Sequence, residues 1–424
     1  MSLITTLLLS CFCLGGTEEF RPLFNGTDLD GWVHVNGAES TWRAESGMLR
    51  CTGTPTCVLR TDRMYENFVL ELEWRHQDPQ GNAGVFVWSD PLPAKGVPFT
   101  RAIEVQVMLG AETENYTSEG DIFSIWGATM TPDRPHPNGY QRCLPSEART
   151  LGAGEWNHYR IECLDGRITL AVNGKIVSGG YDVNPRKGFI CLEAEGSPID
   201  FKDLIIKELP PSNSALAEVA NDAEEYVTLF NGLDLTGWRQ DGGEEGAWKA
   251  AQGRIVHDGS AGHLWTTGSY GDFVLMADWR WVGESQGLRD RPILGIDGAE
   301  TGETVEVEER DSGIYLRGND KSQVNIWEWP AGSGEVYGYR TDSEMPPEVR
   351  AATTPRTRAD AKVGSWNRFV ITLRGDRLTV NLNGVTVIER AQLPGIPAEG
   401  PIALQSHHSA IEFTNLFILK LDSQ

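Results

Sequence analysis

Apolar residues alternate with polar ones over short stretches along the whole chain: Phe68, Leu70, Leu72 and Trp74; Ile103, Val105 and Val107; Ile161 and Cys163; Ile168, Leu170 and Val172; Phe201, Leu204 and Ile206. A period of two is that of a strand with one buried face. Turn dipeptides separate the stretches, among them Asp165-Gly166 and Asn173-Gly174, the latter matched later by Asn383-Gly384. No segment sustains a 3.6-residue period. Residues 212–226 alone have helical composition, and because they follow Pro210-Pro211 they read as a linker. Many short antiparallel strands without helices predict an all-β fold, a sandwich of two facing sheets of jelly-roll type.

The pattern is written twice. "LFNGTDLDGW" (residues 23–32) returns as "LFNGLDLTGW" (229–238), "ENFVLELEWR" as "GDFVLMADWR", "NAGVFV" as "DSGIYL", "GEWNHYRI" as "GSWNRFVI", and "SPIDFKDLIIKEL" as "SAIEFTNLFILKL", all in order. Two copies of one domain follow, at 20–210 and 226–422, joined by 211–225. The offset between matched residues is 205 at Trp74/Trp279 and 229 at Gly84/Gly313, so copy two carries about 24 extra residues before "DSGIYL". It falls back to 210 at Trp156/Trp366, so copy one has 19 extra before "GEWN". Such variable connections are where binding differences sit.

A chain of 424 residues, 40% hydrophobic, supports two cores. Its net charge of -23 argues against nucleic acid and anionic membrane surfaces as partners. Residues 1–16 read as a secretory signal peptide, although no Lys or Arg precedes the apolar run; the expected location is secreted or periplasmic. The run is too short to span a membrane, and no later segment is apolar enough. Cys11 follows "LLS", which resembles a bacterial lipoprotein cleavage site and makes Cys11 a candidate lipid anchor. The other cysteines after Cys13 all fall in copy one. Cys51 and Cys57 flank "TGTPT", read as a hairpin turn across which a disulfide is conceivable, while Cys163 and Cys191 read as buried thiols.

Candidate chemistry lies on strand faces. With Ile103, Val105 and Val107 inward, Glu104, Gln106 and Met108 face outward; in copy two Gln323, Asn325 and Trp327 share a face. Amide, carboxylate and aromatic groups in a row suit a sugar, and a solvated outer face explains them equally well. Cys191, Glu193 and Glu195 share one side of a further strand, and Ala403, Gln405 and His407 share its counterpart. Two carboxylates about 7 Å apart on a strand allow one to stay protonated, although surface acid pairs are commoner. His136 sits near Arg134 and Arg142 on a loop unique to copy one, either as a general acid or simply as an exposed loop residue. "NGTDLDG" has the look of a calcium loop but lacks its later Glu, so it reads as a structural turn. The recurring tryptophans Trp32, Trp42, Trp74 and Trp156, with Trp238, Trp248, Trp279 and Trp366, read as core. We assign no metal and no cofactor.

Both copies resemble the 3-keto-disaccharide hydrolase domain family, whose members are concanavalin-like jelly rolls. The resemblance rests on the repeated motifs above, with "VNGK" in copy one and "DSGIYLRG" and "GPIALQSHHSAIEFTNLFI" in copy two. It implies an enzyme acting on a 3-keto-disaccharide or 3-keto-glycoside, where the ketone acidifies the carbon-2 hydrogen and the enolate expels the glycosidic oxygen. For that chemistry we assign, from the residue types in copy one, Glu104 as base, Arg142 as enolate stabiliser, and His136 or Glu195 as acid. Gln106, Glu193, Arg317, Gln323, Asn325, Trp327, Gln405 and His407 are the expected substrate-binding residues. Arg317 stands where copy one has Trp88, and no carboxylate in copy two answers to Glu104. A non-catalytic tandem carbohydrate-binding protein is therefore the rival reading. A retaining glucanase is disfavoured, since its Glu-x-Asp-x-x-Glu strand does not occur.

Overall fold

The structure is a computed structural model that describes residues 19–422 except 113–116, 138, 140, 223–224 and 244–245. The expected signal peptide and Cys11 lie outside the described residues.

Each copy is a sandwich of two antiparallel sheets. In copy one a nine-stranded back sheet, centred on Asn157–Leu164, Phe68–His76 and Ile199–Glu208, packs on a seven-stranded front sheet. The front sheet runs Arg142–Cys143, Ile122–Ile125, Ala102–Met108, Asn82–Ser89, Phe189–Ala194, Cys57–Thr61, Trp32–Val35. Copy two repeats the plan with an eight-stranded back sheet and a five-stranded front sheet, Trp238–Asp241, His263–Thr266, Ala403–Leu404, Asp311–Leu316, Asn319–Trp327. The alternating residues meet between the sheets as expected: Phe68, Leu70, Leu72 and Trp74 from one sheet and Ile103, Val105 and Val107 from the other form one core. Each such side chain contributes about 1.5–3 kcal/mol by leaving water.

"NGTDLDG" is a turn closed by its own side chains. Asn25 Oδ1 accepts from the amides of Thr27 (2.8 Å) and Asp28 (3.0 Å), and Asn231 repeats this on Leu233 and Asp234 at 2.9 Å each. Three local expectations change. Cys51 and Cys57 end and begin strands of opposite sheets, so "TGTPT" is a crossover rather than a hairpin turn, and both are free, buried thiols. Trp156 and Trp366 are outside the core: Arg75 and Lys202 each sit 4.5 Å from the Trp156 ring, and Arg280 sits 4.7 Å from Trp366. Among its described residues copy two also contains two short helices, Tyr337–Arg340 and Pro347–Ala352, too brief to leave a 3.6-residue pattern. The extra residues of copy two before "DSGIYL" form an exposed hairpin, Leu288–Leu294 with Glu300–Glu308.

The copies stack. Val35, Val58, Phe86, Ala102, Phe189 and Cys191 on the outer side of front sheet one form an apolar cluster with Phe417 and Met276 from back sheet two. Beside the cluster, buried Asp278 of copy two accepts from Gly96 N of copy one (2.8 Å), and from Arg368 Nε and Nη2 (2.6 and 2.7 Å) and Asn415 Nδ2 (2.7 Å). Asn415 Nδ2 lies 3.0 Å from both Ala94 O and Val97 O. Four sheets therefore lie in layers, with front sheet two at one end.

Candidate functional site

Strand register fixes which side chains share the outer side of front sheet one. Asn82, Gly84 and Phe86 stand opposite Met108, Gln106 and Glu104, and on the other flank Cys191 stands opposite Phe86. Glu193 and Glu195, two and four residues beyond Cys191, project to the same side. Alternation thus brings together Glu104, Gln106, Glu193 and Glu195 around Gly84. The glycine leaves the room: a Cβ there would lie 2.7 Å from Glu193 Oε2 and 3.1 Å from Glu104 Oε1.

Polar partners hold the cluster. Asn82 Nδ2 donates to Glu195 Oε2 at 2.6 Å and Gln106 Nε2 donates to Asn82 Oδ1 at 2.6 Å. Glu193 is 1% exposed, and its Oε2 accepts no hydrogen bond, an orphaned acceptor in a recessed floor. Burial, then the charge of Glu195, push the Glu104 carboxyl up to about 8, with Arg142 pulling the other way. Burial, then Glu104 and Glu195, hold Glu193 well above the usual carboxylate range. Arg142 is buried, its Nε and Nη2 both on Asp121 Oδ2 at 2.9 and 2.6 Å and its guanidinium 4.4 Å from the Phe123 ring centre. His136, one of the two expected acids, is buried rather than an exposed loop residue, its backbone amide paired with Arg142 O at 3.2 Å. Gly196, next to Glu195, lines a cleft of about 530 Å³ between the copies, with Phe99 and Arg254 on its walls.

The same register in copy two sets Asp311, Gly313 and Tyr315 opposite Trp327, Asn325 and Gln323. Glu104 thus corresponds to Gln323 and Gln106 to Asn325. Because Ala403 pairs with Tyr315 and Gln405 N donates to Gly313 O (2.8 Å), Glu193 corresponds to Gln405 and Glu195 to His407. Gln323 Nε2 donates to Gln405 Oε1 at 2.5 Å, and Gln405 Nε2 to Tyr315 Oη at 3.0 Å. His407 Nδ1 lies 3.2 Å from Asp311 Oδ2. Burial, then Glu309, raise the Asp311 carboxyl to about 7 against the pull of Arg291. Trp265 stacks on Tyr315 at 5.8 Å, and buried Trp327 on Trp329 at 4.1 Å.

Arg317 is not on this face. Its Nε donates to Gly271 O (2.8 Å), Nη1 to Gly375 O (2.8 Å) and Pro397 O (3.0 Å), and Nη2 to Asp272 (2.8 Å), a structural tie that uses the whole guanidinium. Trp88 has the same backbone conformation, φ 53° against 52°, and its Nε1 donates to the matching carbonyl of Glu66 at 2.7 Å.

Sequence reasoning passed over Asn82, Gly84, Asp311 and Gly313, which the alternation of "NAGVFV" and "DSGIYL" places on the same face. It also passed over a buried ion pair common to both copies. Gln106 N donates to Asp121 O (3.0 Å) and Asn325 N to Glu335 O (2.9 Å), so Asp121 corresponds to Glu335, and the arginine bound to each is Arg142 or Arg340. Arg142 comes from a strand and Arg340 from a helix, in segments of unequal length, so no sequence signal links them.

Residues 19–207 and 225–419 each match the model of the 3-keto-alpha-glucoside-1,2-lyase-like domain. Among solved structures, a candidate glycosyl hydrolase from Parabacteroides distasonis ATCC 8503 aligns with 22% identity over 45% of this chain and 94% of its own, at a TM-score of 0.35. A carbohydrate-binding module from Bacillus subtilis aligns with 13% identity over 42% of this chain and 96% of its own (TM-score 0.31). A Bacillus licheniformis β-glucanase aligns with 13% identity over 46% of this chain and 100% of its own (TM-score 0.29). No curated protein matches the chain. With its two matches taking in most of its length, the chain is a carbohydrate-active protein that belongs to the 3-keto-alpha-glucoside-1,2-lyase-like domain family.

Proposed function

We propose that copy one cleaves 3-keto-glycosides, disaccharides included, by 1,2-elimination, in a secreted or periplasmic setting. The observation that carries this reading is the gathering of Glu104, Glu193 and Glu195 over Gly84, with Glu104 raised to about 8. A carboxyl of that value exchanges a proton readily near neutral pH, which is what a base for an α-keto hydrogen needs. Glu104 takes the carbon-2 proton, and the electron pair moves into an enolate on the 3-oxygen. The enolate re-forms the ketone and expels the glycosidic oxygen from carbon 1, which takes a proton from Glu195, the carboxyl that holds the cluster's shared proton once Glu104 has ionised. The Arg142–Asp121 pair keeps a cation near the developing charge. Glu193 Oε2, an acceptor without a donor, suits a sugar hydroxyl.

The test is incubation with 3-keto-trehalose or 3-keto-lactose and with the unoxidised sugars, following release of free monosaccharide. Turnover of the keto sugars alone, lost in Glu104→Gln, is the expected result. Equal cleavage of the unoxidised sugar rules out the keto-dependent route, and binding without turnover favours the tandem carbohydrate-binding protein.

A further inference from the structure

The same two positions make a polar pair in both copies. In copy one it is Asn82 with Glu195, at 2.6 Å; in copy two it is Asp311 with His407, at 3.2 Å. The group that can carry a proton has changed from carboxylate to imidazole, and its partner from amide to carboxylate. We propose that copy two holds a second proton-transfer centre, in which His407, oriented by Asp311, removes the carbon-2 proton of a 3-keto-pyranoside. This rests on the elimination reading for its substrate class, and it places a different base in a different copy.

Above about pH 7 Asp311 is ionised, and its carboxylate on Nδ1 fixes the imidazole proton there and leaves the Nε2 lone pair to act as base. The His407 side chain is 47% exposed, so its ring is open to a ligand, while Asp311 beneath it is 15% exposed and shielded. Gln286 Nε2 holds the His407 carbonyl at 2.9 Å, which steadies the backbone carrying the ring. A surface histidine beside an aspartate is common, and two further observations separate this one from that background. Asn325, 3% exposed and on the same side of the sheet, has an Oδ1 with no hydrogen-bond donor, an acceptor that a sugar hydroxyl satisfies. Arg291 lies over the Trp329 ring at 4.4 Å and ties the inserted hairpin to Glu309, so the insertion particular to copy two brings a cation whose charge acts on Asp311. Gln323 and Gln405, in place of Glu104 and Glu193, remove the carboxylates that would compete with imidazole for the proton.

The step balances as in copy one. Nε2 takes the carbon-2 proton, the electron pair forms the enolate on the 3-oxygen, the carbon-1 to oxygen bond breaks as the ketone re-forms, and the imidazolium returns its proton to the leaving oxygen. The products are an alcohol and a 2-hydroxy-3-keto-glycal.

The experiment silences copy one with Glu104→Gln plus Glu195→Gln in the full chain. It then follows, by NMR in heavy water, deuterium entry at carbon 2 and methanol release from methyl 3-keto-α-glucopyranoside. The silenced chain should retain exchange at least about 100-fold above buffer, and adding His407→Ala should remove about 100-fold or more. Asp311→Asn, which keeps the side-chain shape, should cost about 10-fold or more and provides the check if His407→Ala unfolds. Exchange at the buffer rate in the silenced chain, with an active parent, overturns the second centre alone. Exchange unaffected by both copy-two substitutions also overturns it. A parent without activity overturns the elimination reading, and this inference with it.

Discussion

Replacing Glu104 by Gln should make the protein more stable, and more so as the pH rises. The ordinary value of the carboxyl is 4.5, and burial together with Glu195 raises it to about 8 in the fold. A raised carboxyl binds its proton more tightly when folded, so its favourable contribution is complete below about 4.5 and is lost as pH climbs through about 8. About 3.5 units at about 1.4 kcal/mol each set a ceiling of about 5 kcal/mol. The cluster shares its protons and water relaxes around a half-buried carboxylate, so about 2 kcal/mol is the working expectation. Urea unfolding of parent and variant at pH 4.5, 6 and 8.5 measures it: near-equal stability at pH 4.5, and the variant ahead by about 2 kcal/mol at pH 8.5. In the parent, kcat/KM should rise with pH toward 8 as Glu104 ionises into the basic form. Parallel stability curves across this range would refute the buried-carboxyl argument, and a rate that falls over the same range would make Glu104 the acid.

Gly84→Ala places a methyl 2.7 Å from Glu193 Oε2, so turnover should fall about 100-fold while thermal unfolding registers only about 1–3 kcal/mol of overpacking. Asp278→Ala strips Arg368 of its carboxylate and copy one's Gly96 of its acceptor; calorimetry should find about 3–5 kcal/mol lost and the copies unfolding in separate transitions. Arg317→Met should lower the unfolding temperature of copy two without changing the affinity of sugar for its front sheet, and a changed affinity would return Arg317 to the site.

Where a property depended on period two, it was readable in advance. The facing of Glu104 with Gln106, and of Glu193 with Glu195, follows from their apolar neighbours Ile103, Val105, Leu192 and Ala194, all of which lie in the core. What alternation cannot give is how far apart strands distant in sequence lie. Nothing near Gly84 in the chain says that residues 104 and 193 will flank it. The Arg142–Asp121 and Arg340–Glu335 pairs were hidden because their arginines come from connections of unequal length. Cys51 and Cys57 were misjudged because a short turn-like segment can change sheets as well as reverse a strand. The layering of the copies was illegible for a further reason. Asn415 has a φ of 48°, and this break in the alternation lets Leu416 enter the copy-two core while Phe417 meets copy one.

Stacking explains why two copies of one fold diverged on the same sheet face. The pairing places Val35, Val58, Phe86 and Cys191 of copy one where copy two has Asp241, His263, Tyr315 and Ala403. In copy one these positions are apolar because they lie against Phe417 and Met276. In copy two Asp241, His263 and Tyr315 are polar or aromatic and only Ala403 stays apolar, and Asp241 accepts from Trp265 Nε1 at 2.5 Å. Half of front face one has become interface, and its polar chemistry is compressed into the strip from Glu104 to Glu195. Burial in that strip, with carboxyls beside them, is what raises the proton affinity of Glu104 and Glu193. Among the described residues the end layer has no neighbour in the stack on its front face, and copy two spreads amides, stacked rings and a His–Asp pair over its sheet. The same positions thus hold carboxylates in one copy and amides with a His–Asp pair in the other.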